Sequence, residues 1–118
     1  DVDRKDLSAI ALETATLVQK AKEGRLTPDE LRGSTFTLTN LGMYGIDSFT
    51  PIINMPECAV LGVGRIRPMP SVVEERIEVR RKVWLSLTFD HRLVDGAPAA
   101  RFLQRVARTI EDGPEPAR

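Results

Sequence analysis

One histidine, His91, is the residue of this chain best suited to acid–base chemistry. An imidazole has an ordinary pKa of about 6.5, so it can accept and return a proton near neutral pH. His91 follows a strand-like segment, lies among charged residues, and is followed four positions later by Asp95. Asp95 could orient the ring, or it could simply cap a helix that begins near Ala97. The spacing indicates a strand-to-helix turn that presents a general base.

Two other residues have side chains that could take part in chemistry. Thr39 lies on a segment with alternating hydroxyl residues, and residue type alone favours a plain β-former there over a hydrogen-bond donor to a reacting group. Cys58 lies in an apolar run beside Ala59 and Val60. Such surroundings indicate an inert core thiol rather than a nucleophile.

The composition limits the classes of protein to which the chain can belong. It has 17 Lys and Arg against 17 Asp and Glu, with 42% hydrophobic and 29% charged residues, as in an ordinary globular domain. The zero net charge argues against nucleic acid or an anionic membrane as a partner. One Cys and one His are too few for a disulfide or a structural zinc site. The longest apolar run, around Cys58 to Val63, is too short to span a bilayer. We therefore expect an intracellular, soluble, metal-free domain.

The elements that must position His91 and Thr39 begin with helices and one strand. Apolar residues at helical spacing, with a candidate N-cap and a glycine stop, predict a helix over residues 6–23. Thr27 to Glu30 has the form of a capping box with proline at the first helical position, so a short second helix should begin there and end at Gly33. Strict alternation from Thr35 to Asn40 predicts a strand with one apolar and one hydroxyl face.

The rest of the chain predicts a long ordered loop, a strand buried on both faces, an exposed hairpin, an alternating strand and a helix. Their ranges are 41–57, 59–66, 72–79 around a charged turn at 74–76, 83–89, and about 97 to the stop at Gly113-Pro114. This order of elements predicts an α/β fold, a two-layer sandwich in which helices pack on a mixed β-sheet.

Four sequence blocks in this order resemble the catalytic domain of dihydrolipoyl acyltransferases, the E2 components of 2-oxoacid dehydrogenase complexes. The blocks are T-F-T-L-T-N-L-G-M-Y-G-I (35–46), F-T-P-I-I-N-M-P-E (49–57), A-V-L-G-V-G (59–64) and D-H-R-L-V-D-G (90–96). The H-x-x-x-D-G core alone is shared with chloramphenicol acetyltransferase and other coenzyme A-dependent acyltransferases. It is the four blocks together that indicate the E2 family.

The resemblance covers essentially the whole chain but only about half of the family's catalytic domain. It implies that residues 1–118 are the C-terminal half of that domain, with a partial chloramphenicol acetyltransferase-like fold. The first half of the domain, and the lipoyl and peripheral-subunit-binding domains, would then lie outside this chain. We accordingly expect the chain alone to be inactive.

Members of this family pass an acyl group from the dihydrolipoyl arm to coenzyme A, one thioester to another. By resemblance, His91 is the base that removes the thiol proton, with its other ring nitrogen bonded to its own main-chain carbonyl. Thr39 is the hydroxyl that hydrogen-bonds the tetrahedral oxyanion, and Asp95 and Arg92 shape the turn and the site. Coenzyme A is then a substrate, the lipoyl group belongs to a domain outside this chain, and no metal takes part.

The identity of the acyl group depends on a single position. Succinyl-transferring members often have glycine in place of Leu41, whereas acetyl- and branched-chain-transferring members do not. The chain therefore resembles the acetyl type, with pyruvate dehydrogenase as the parent complex, and a branched-chain or succinyl-transferring E2 is the alternative. A non-catalytic core assembly module is a further alternative, but such proteins tend to lose the histidine. The blocks at 49–57 and 59–64 argue against a free-standing acetyltransferase of the chloramphenicol type.

The resemblance also implies partners and a location. Relatives form homotrimers that assemble into larger cubic or dodecahedral cores, and they bind the E1 and E3 components through domains outside this chain. Their active sites lie between subunits, so the base and the oxyanion donor of one site come from different chains. The apolar residues of the 41–57 loop would then pack at an interface. The expected compartment is the bacterial cytoplasm or the mitochondrial matrix.

Overall fold

A computed structural model gives the structure of the protein over residues 2–113. The described chain divides into two compact units, one up to Ser34 and the other from Thr35 onward. The first unit contains one long helix and a turn. The second contains the strands of the described chain and a second long helix. Thr39, His91 and Asp95 all belong to the second unit.

The first unit is built on α1 (Leu7–Lys22), which follows a short 3₁₀ turn at Val2–Arg4. Asp6 caps the helix, because its carboxylate accepts a hydrogen bond from the backbone N–H of Ala9 at 2.7 Å. This bond satisfies one of the N–H groups that the first helical turn leaves without an intrahelical partner. The predicted helix over residues 6–23 is confirmed.

The prediction of a second helix in this unit is wrong, although its capping box forms. The N–H of Thr27 donates to Glu30 Oε2 at 2.9 Å, and the N–H of Glu30 donates to Thr27 Oγ1 at 3.3 Å. The residues after Pro28 make only turn-type bonds to the third residue back, and Gly33 then takes a left-handed φ of 80°. One turn offers too few hydrogen bonds to offset the cost of helix nucleation, so the box closes a turn.

The second unit is organised around a three-stranded sheet with β2 (Ala59–Val63) in its centre. β1 (Thr37–Asn40) pairs with β2 in parallel, and the last strand of the unit, Leu85–Phe89, pairs with it antiparallel on the other side. β2 is buried, with Val60 only 1% exposed, as its uninterrupted apolar run predicts. The mixed sheet is the one the sequence predicts.

The second helix, α2 (Gly96–Asp112), packs on this sheet through an apolar stripe. Ala99 is 5% exposed at the contact, and the rings of Phe36 and Phe102 meet edge-on with 5.8 Å between their centroids. These contacts confirm the predicted α/β class. Gly113 ends the helix as predicted, whereas Pro114, the second residue of the predicted stop, lies outside the described residues. Neither described helix has the length and apolar character that crossing a membrane requires.

The predicted exposed hairpin is confirmed, and it is longer than the sequence pattern indicates. β3 (Arg67–Val73) and β4 (Arg76–Lys82) form a separate two-stranded antiparallel sheet. They are joined at Glu74 and Glu75, whose φ angles are 45° and 64°, as in a two-residue hairpin turn of the primed type. The remaining strand, Leu85–Phe89, is β5.

The strands of the central sheet are shorter than predicted at one end each. β1 begins at Thr37 rather than Thr35, β2 ends at Val63 rather than Ile66, and β5 begins at Leu85 rather than Val83. Val63 is the last residue of β2 that has partners on both sides, Asn40 and Leu85. Strand pairing of β2 therefore stops where β1 and β5 no longer offer partners. The hydropathy of β2 alone does not encode that position.

The predicted ordered loop over residues 41–57 packs against the end of β2. A Cβ on Gly62 would lie 3.1 Å from the ring of Phe49, and one on Gly64 would lie 1.8 Å from the carbonyl oxygen of Asp47. The backbone N–H of Arg65 donates to the carbonyl of Ile46 at 2.8 Å. The loop can approach this closely only because glycines occupy position 62 within β2 and position 64 just after it.

We predict that Gly64→Ala destabilises the second unit by roughly 1–3 kcal/mol or more, since the new methyl group would overlap the backbone of Asp47. Gly96→Ala is the matched control, because a methyl group added there would meet nothing within 4 Å and alanine is a better helix former. Urea unfolding of both variants checks this. Equal stability of the two variants would show that the loop does not pack on β2 as described.

A second prediction concerns the turn of the first unit. The ammonium of Lys20 donates to Glu30 Oε1 at 2.6 Å, and this bond, with that from the N–H of Thr27, lowers the pKa of Glu30 to about 2. The contact therefore stabilises the unit above the ordinary carboxyl pKa and is lost as the pH falls through about 2. In an NMR titration of the Glu30 carboxyl carbon, Lys20→Met should raise the midpoint towards 4.5, whereas Lys22→Met should not.

Candidate active site

The site is built on the turn between β5 and α2, residues 90–95. The N–H of Asp90 donates to the carbonyl of Cys58 at 2.8 Å, which continues the β2–β5 pairing by one residue. The carbonyl of Asp90 in turn accepts from the N–H groups of Leu93 and Val94, both at 3.0 Å. These bonds close the turn tightly and direct the chain into α2.

His91 lies at the outside of this turn, with 71% of its side chain exposed. Its ring lies against that of Phe89, with 5.6 Å between the centroids and an interplanar angle of 38°. Within residues 2–113 neither ring nitrogen makes a hydrogen bond, so the bond to its own main-chain carbonyl that the family resemblance implies is not formed in this structure. The imidazole is placed by the backbone of the turn and by one aromatic neighbour.

Asp95 lies close to His91 but is not hydrogen-bonded to it. Asp95 Oδ1 is 3.9 Å from His91 Nδ1, and 85% of its side chain is exposed. Asp95 occupies the N-cap position of α2, yet its side chain makes no capping bond; only its carbonyl accepts, from the N–H of Ala99 at 3.2 Å. The sequence suggests two roles for Asp95, orienting the His91 ring or capping α2 with its side chain. In the described chain neither role is supported by a hydrogen bond.

Thr39 lies near the end of β1 and pairs with Gly62 of β2. After it the chain is held by two bonds: Asn40 Oδ1 accepts from the N–H of Gly42 at 2.8 Å, and the N–H of Leu41 donates to Val63 at 3.1 Å. The hydroxyl face of β1 is the half-buried one, whereas Leu38 is 64% exposed. The two faces of the predicted strand are therefore present, and in the described chain the apolar face is open at Leu38.

The register of the sheet separates Thr39 from His91. Thr39 is level with Gly62, while Phe89, two residues before His91, is level with Ala59. Three strand residues span ~10 Å along the sheet, and His91 lies further on in the same direction, on the opposite flank of β2. The described chain does not bring these two residues into one site.

Asp90 is the residue of the turn that the sequence reasoning missed. Its carboxylate accepts from the N–H of Arg92 at 2.9 Å and from the Arg92 guanidinium at distances from 2.6 to 3.1 Å. The guanidinium, helped by that N–H, holds the pKa of Asp90 at about 2, so the carboxylate is ionised at neutral pH. The signal in the sequence is an aspartate at the start of a turn, because the side chain of such a residue commonly accepts the backbone N–H two residues later.

An apolar cavity of about 300 Å³ lies between α2 and the sheet, beside this turn. Phe89 and Val94 line it at the turn, and Cys58, which is half-buried, lines it from the position before β2. The other side chains of its walls are hydrocarbon. In residues 2–113 no three His, Cys, Asp or Glu side chains gather into a set that could hold a metal ion.

The chain is similar in sequence to acyltransferase components of 2-oxoacid dehydrogenase complexes. The chain is 42% identical to the dihydrolipoyllysine-residue acetyltransferase component of the pyruvate dehydrogenase complex of Pseudomonas aeruginosa, over 95% of this chain and 20% of that protein. It is 40% identical to the corresponding succinyltransferase component of the 2-oxoglutarate dehydrogenase complex of Bartonella vinsonii, over 95% of this chain and 27% of that protein. The chain thus spans about a quarter of the length of the curated relatives it matches.

Solved structures match the fold closely. The dihydrolipoamide acetyltransferase of Azotobacter vinelandii superposes with a TM-score of 0.90 at 40% identity, over 94% of this chain and 46% of that one. The cubic core of a pyruvate dehydrogenase multienzyme complex superposes with a TM-score of 0.87 at 41% identity, over 92% of this chain and 44% of that one. The chain spans about half of each solved chain.

The Azotobacter protein was studied for the role of a serine, a histidine and an asparagine in its catalytic mechanism. Its serine lies 52 positions before the histidine and its asparagine four positions after it; here Thr39 lies 52 positions before His91 and Asp95 four positions after it. The sequence model of the 2-oxoacid dehydrogenase acyltransferase catalytic domain matches residues 1–117. The chain therefore belongs to the family of 2-oxoacid dehydrogenase acyltransferases, as part of their catalytic domain.

Proposed function

We propose that residues 1–118 are the C-terminal half of an acyltransferase catalytic domain that moves an acetyl group between a dihydrolipoyl arm and coenzyme A. The observation that carries the proposal is His91, the one histidine of the chain, on an ordered turn between β5 and α2. Its spacing to Thr39 and to Asp95 equals that of the three residues studied in the Azotobacter relative. The complete domain, with its other half, would form the working enzyme.

His91 supplies the base for this transfer. A thiol of ordinary pKa, about 8.5, is only a few per cent ionised at neutral pH. The imidazole takes the proton of the attacking thiol as its sulfur bonds to the thioester carbonyl carbon, and it returns the proton to the departing thiolate when the tetrahedral intermediate collapses. The exposed position of the ring suits this role, because the thiol must approach it from outside the described chain.

Thr39 supplies the hydrogen bond to the oxyanion that forms during attack. A fixed hydroxyl donor at such a position is typically worth ~10²–10³-fold in rate. Thr39 is suited to it because the bonds of Asn40 and Leu41 hold the strand end rigid. Asp95 needs no negative charge for its part, since the Azotobacter relative has asparagine at the corresponding spacing.

We propose further that each working site is shared between two subunits. The ~10 Å or more between Thr39 and His91 along the sheet supports this, because a base and an oxyanion donor must both reach one thioester. The chain would form a homotrimer within a larger E2 core, in which E1 and E3 components bind through other domains. The proposed compartment is the bacterial cytoplasm or the mitochondrial matrix.

Leu41 supports acetyl rather than succinyl as the acyl group, by the family pattern at this position. Overall identity does not separate the two, since the acetyl- and succinyl-transferring relatives are 42% and 40% identical to the chain. A branched-chain or succinyl-transferring E2 is the second candidate. Retention of His91 argues against a non-catalytic assembly module.

We predict that His91→Ala in the complete domain lowers acyl transfer by ~10²–10⁴-fold, because no other base of similar pKa is present in this chain. Thr39→Ala should cost less, and chiefly in kcat, since its hydroxyl acts only once the oxyanion has formed. Steady-state kinetics with dihydrolipoamide and acetyl-coenzyme A measure both. Gln104→Ala, an exposed change on α2, is the control. A near-normal rate in His91→Ala would overturn the mechanism.

Shared sites make a separate prediction. Subunits impaired by His91→Ala and by Thr39→Ala, unfolded and refolded together, should reach about a quarter of wild-type activity, because about a quarter of the interfaces in a random mixture pair two intact residues. Each variant refolded alone should keep its own low rate, far below a quarter of wild-type activity. If base and donor come from one chain, every site in the mixture carries a lesion and no activity returns.

A further inference from the structure

Within residues 2–113, the imidazole ring of His91 makes no hydrogen bond that would fix its direction. Asp95 Oδ1 is 3.9 Å from Nδ1, and the centroid of the Phe89 ring is 5.6 Å from that of the imidazole. A general base must nevertheless be held within a fraction of an ångström of the proton that it takes. In the described chain, the groups that can supply this constraint are those that fix the backbone of the turn on either side of His91.

We propose that Asp90, held by Arg92, is the positioning residue for His91. This inference rests on the proposed role of His91 as the base. Asp90 and Arg92 are the two chain neighbours of His91, so a bond between their side chains closes a ring around its backbone. The guanidinium meets the carboxylate through Nε at 3.0 and 3.1 Å and through Nη2 at 2.6 Å, a two-pronged geometry that only arginine can make.

Asp90 is anchored to the rest of the fold as well as to Arg92. Its N–H bonds to Cys58 at 2.8 Å, and its carbonyl accepts the N–H groups of Leu93 and Val94. Its carboxylate also accepts the N–H of Arg92 at 2.9 Å. Asp90 is therefore bonded to the residue before β2, to the residue after His91 and to the two turn residues that lead towards α2. These bonds lie on both sides of His91 in the chain.

The exposure of the two side chains fits this role. The Asp90 side chain is 11% exposed, whereas that of Arg92 is 77% exposed. The Asp90 carboxylate is mostly buried, and the Arg92 guanidinium covers its solvent-facing side. The negative charge of Asp90 is therefore paired with a positive charge at the protein surface. Arg92 would then act as a brace on the outer side of the turn. Its partner, Asp90, lies within this chain.

The test compares four variants of the complete domain: Asp90→Asn, Arg92→Lys, Arg92→Gln and the double variant Asp90→Asn/Arg92→Gln. Asparagine can still accept the N–H of Arg92 but cannot pair with the guanidinium as a carboxylate does. We expect Asp90→Asn to lower kcat by ~10–100-fold while the KM for coenzyme A stays within about twofold. Arg92→Lys should retain more activity than Arg92→Gln, and the double variant should be no worse than the poorer single one.

Matched controls come from α2, where Asp112→Asn and Arg108→Gln make the same changes of charge at exposed positions. The pH profile of kcat separates positioning from an effect of charge. The double variant removes one negative and one positive charge, so its acid limb should coincide with that of the wild type while kcat stays low. A crystal structure of the double variant should show the His91 ring displaced from Phe89.

Wild-type kcat in Asp90→Asn and Arg92→Gln, in an assay where His91→Ala is inactive, would overturn the inference and leave the proposed function intact. Activity in His91→Ala would instead overturn the proposed function. If Asp90→Asn loses binding of coenzyme A together with its folded circular dichroism spectrum, Arg92→Gln decides, because it keeps the backbone bond to Asp90. Wild-type kcat in that variant would again overturn the inference.

Discussion

The pairing of β2 with a parallel strand on one side and an antiparallel strand on the other is the constraint on which the second unit depends. β2 is the most deeply buried segment of the described chain, and its backbone bonds hold β1 and β5 in register. Because the two flanking strands run in opposite directions, their carboxyl ends lie at opposite edges of the sheet. Thr39 is thereby carried to one edge and His91 to the other. The location of the candidate chemistry is a consequence of strand direction.

The close packing of the 41–57 loop against β2 is a second feature that depends on this strand. Gly62 and Gly64 leave room above the strand, and the loop fills it with Phe49 and the backbone of Asp47. The guanidinium of Arg65 then binds the Asp47 carboxylate at 2.9 Å. Both partners are partly exposed, so this ion pair adds little stability by itself, and the packing of the loop on glycine is what orders it. The ordered loop in turn follows directly from the strand that bears Thr39.

The turn that presents His91 is held in a different way. The turn is ordered by the hydrogen bonds that Asp90 donates and accepts. The histidine ring itself is exposed and makes no hydrogen bond in the described chain. An exposed base is a poor stabiliser of a fold but is accessible to a substrate. The large exposed side chains of the loop, such as Met43, Tyr44 and Ile52, form a similar surface. Both features agree with a chain that spans about half of its solved relatives.

The sequence by itself determined what depends on neighbours along the chain. Helical periodicity and a candidate cap, Asp3 or Asp6, predicted α1. The apolar run predicted a buried β2, and the flanking patterns predicted the strand-to-helix turn around His91. These signals are local, and the structure follows them. The hydrogen bonds of the capping box at Thr27 to Glu30 also form as the sequence predicts. The predicted helix after it does not form, because a capping box does not determine how many helical residues follow it.

Tertiary structure alone decided which residues meet. Nothing in the patterns of β1 and β5 states their direction relative to β2, so the separation of Thr39 from His91 could not be predicted from spacing. The match of the Arg92 guanidinium to Asp90 likewise depends on the curvature of the turn, which side-chain types do not encode. Strand ends were set by where partners stop, not by where apolar residues stop. Pairing is a property of two segments at once, and a pattern along one segment carries no information about it.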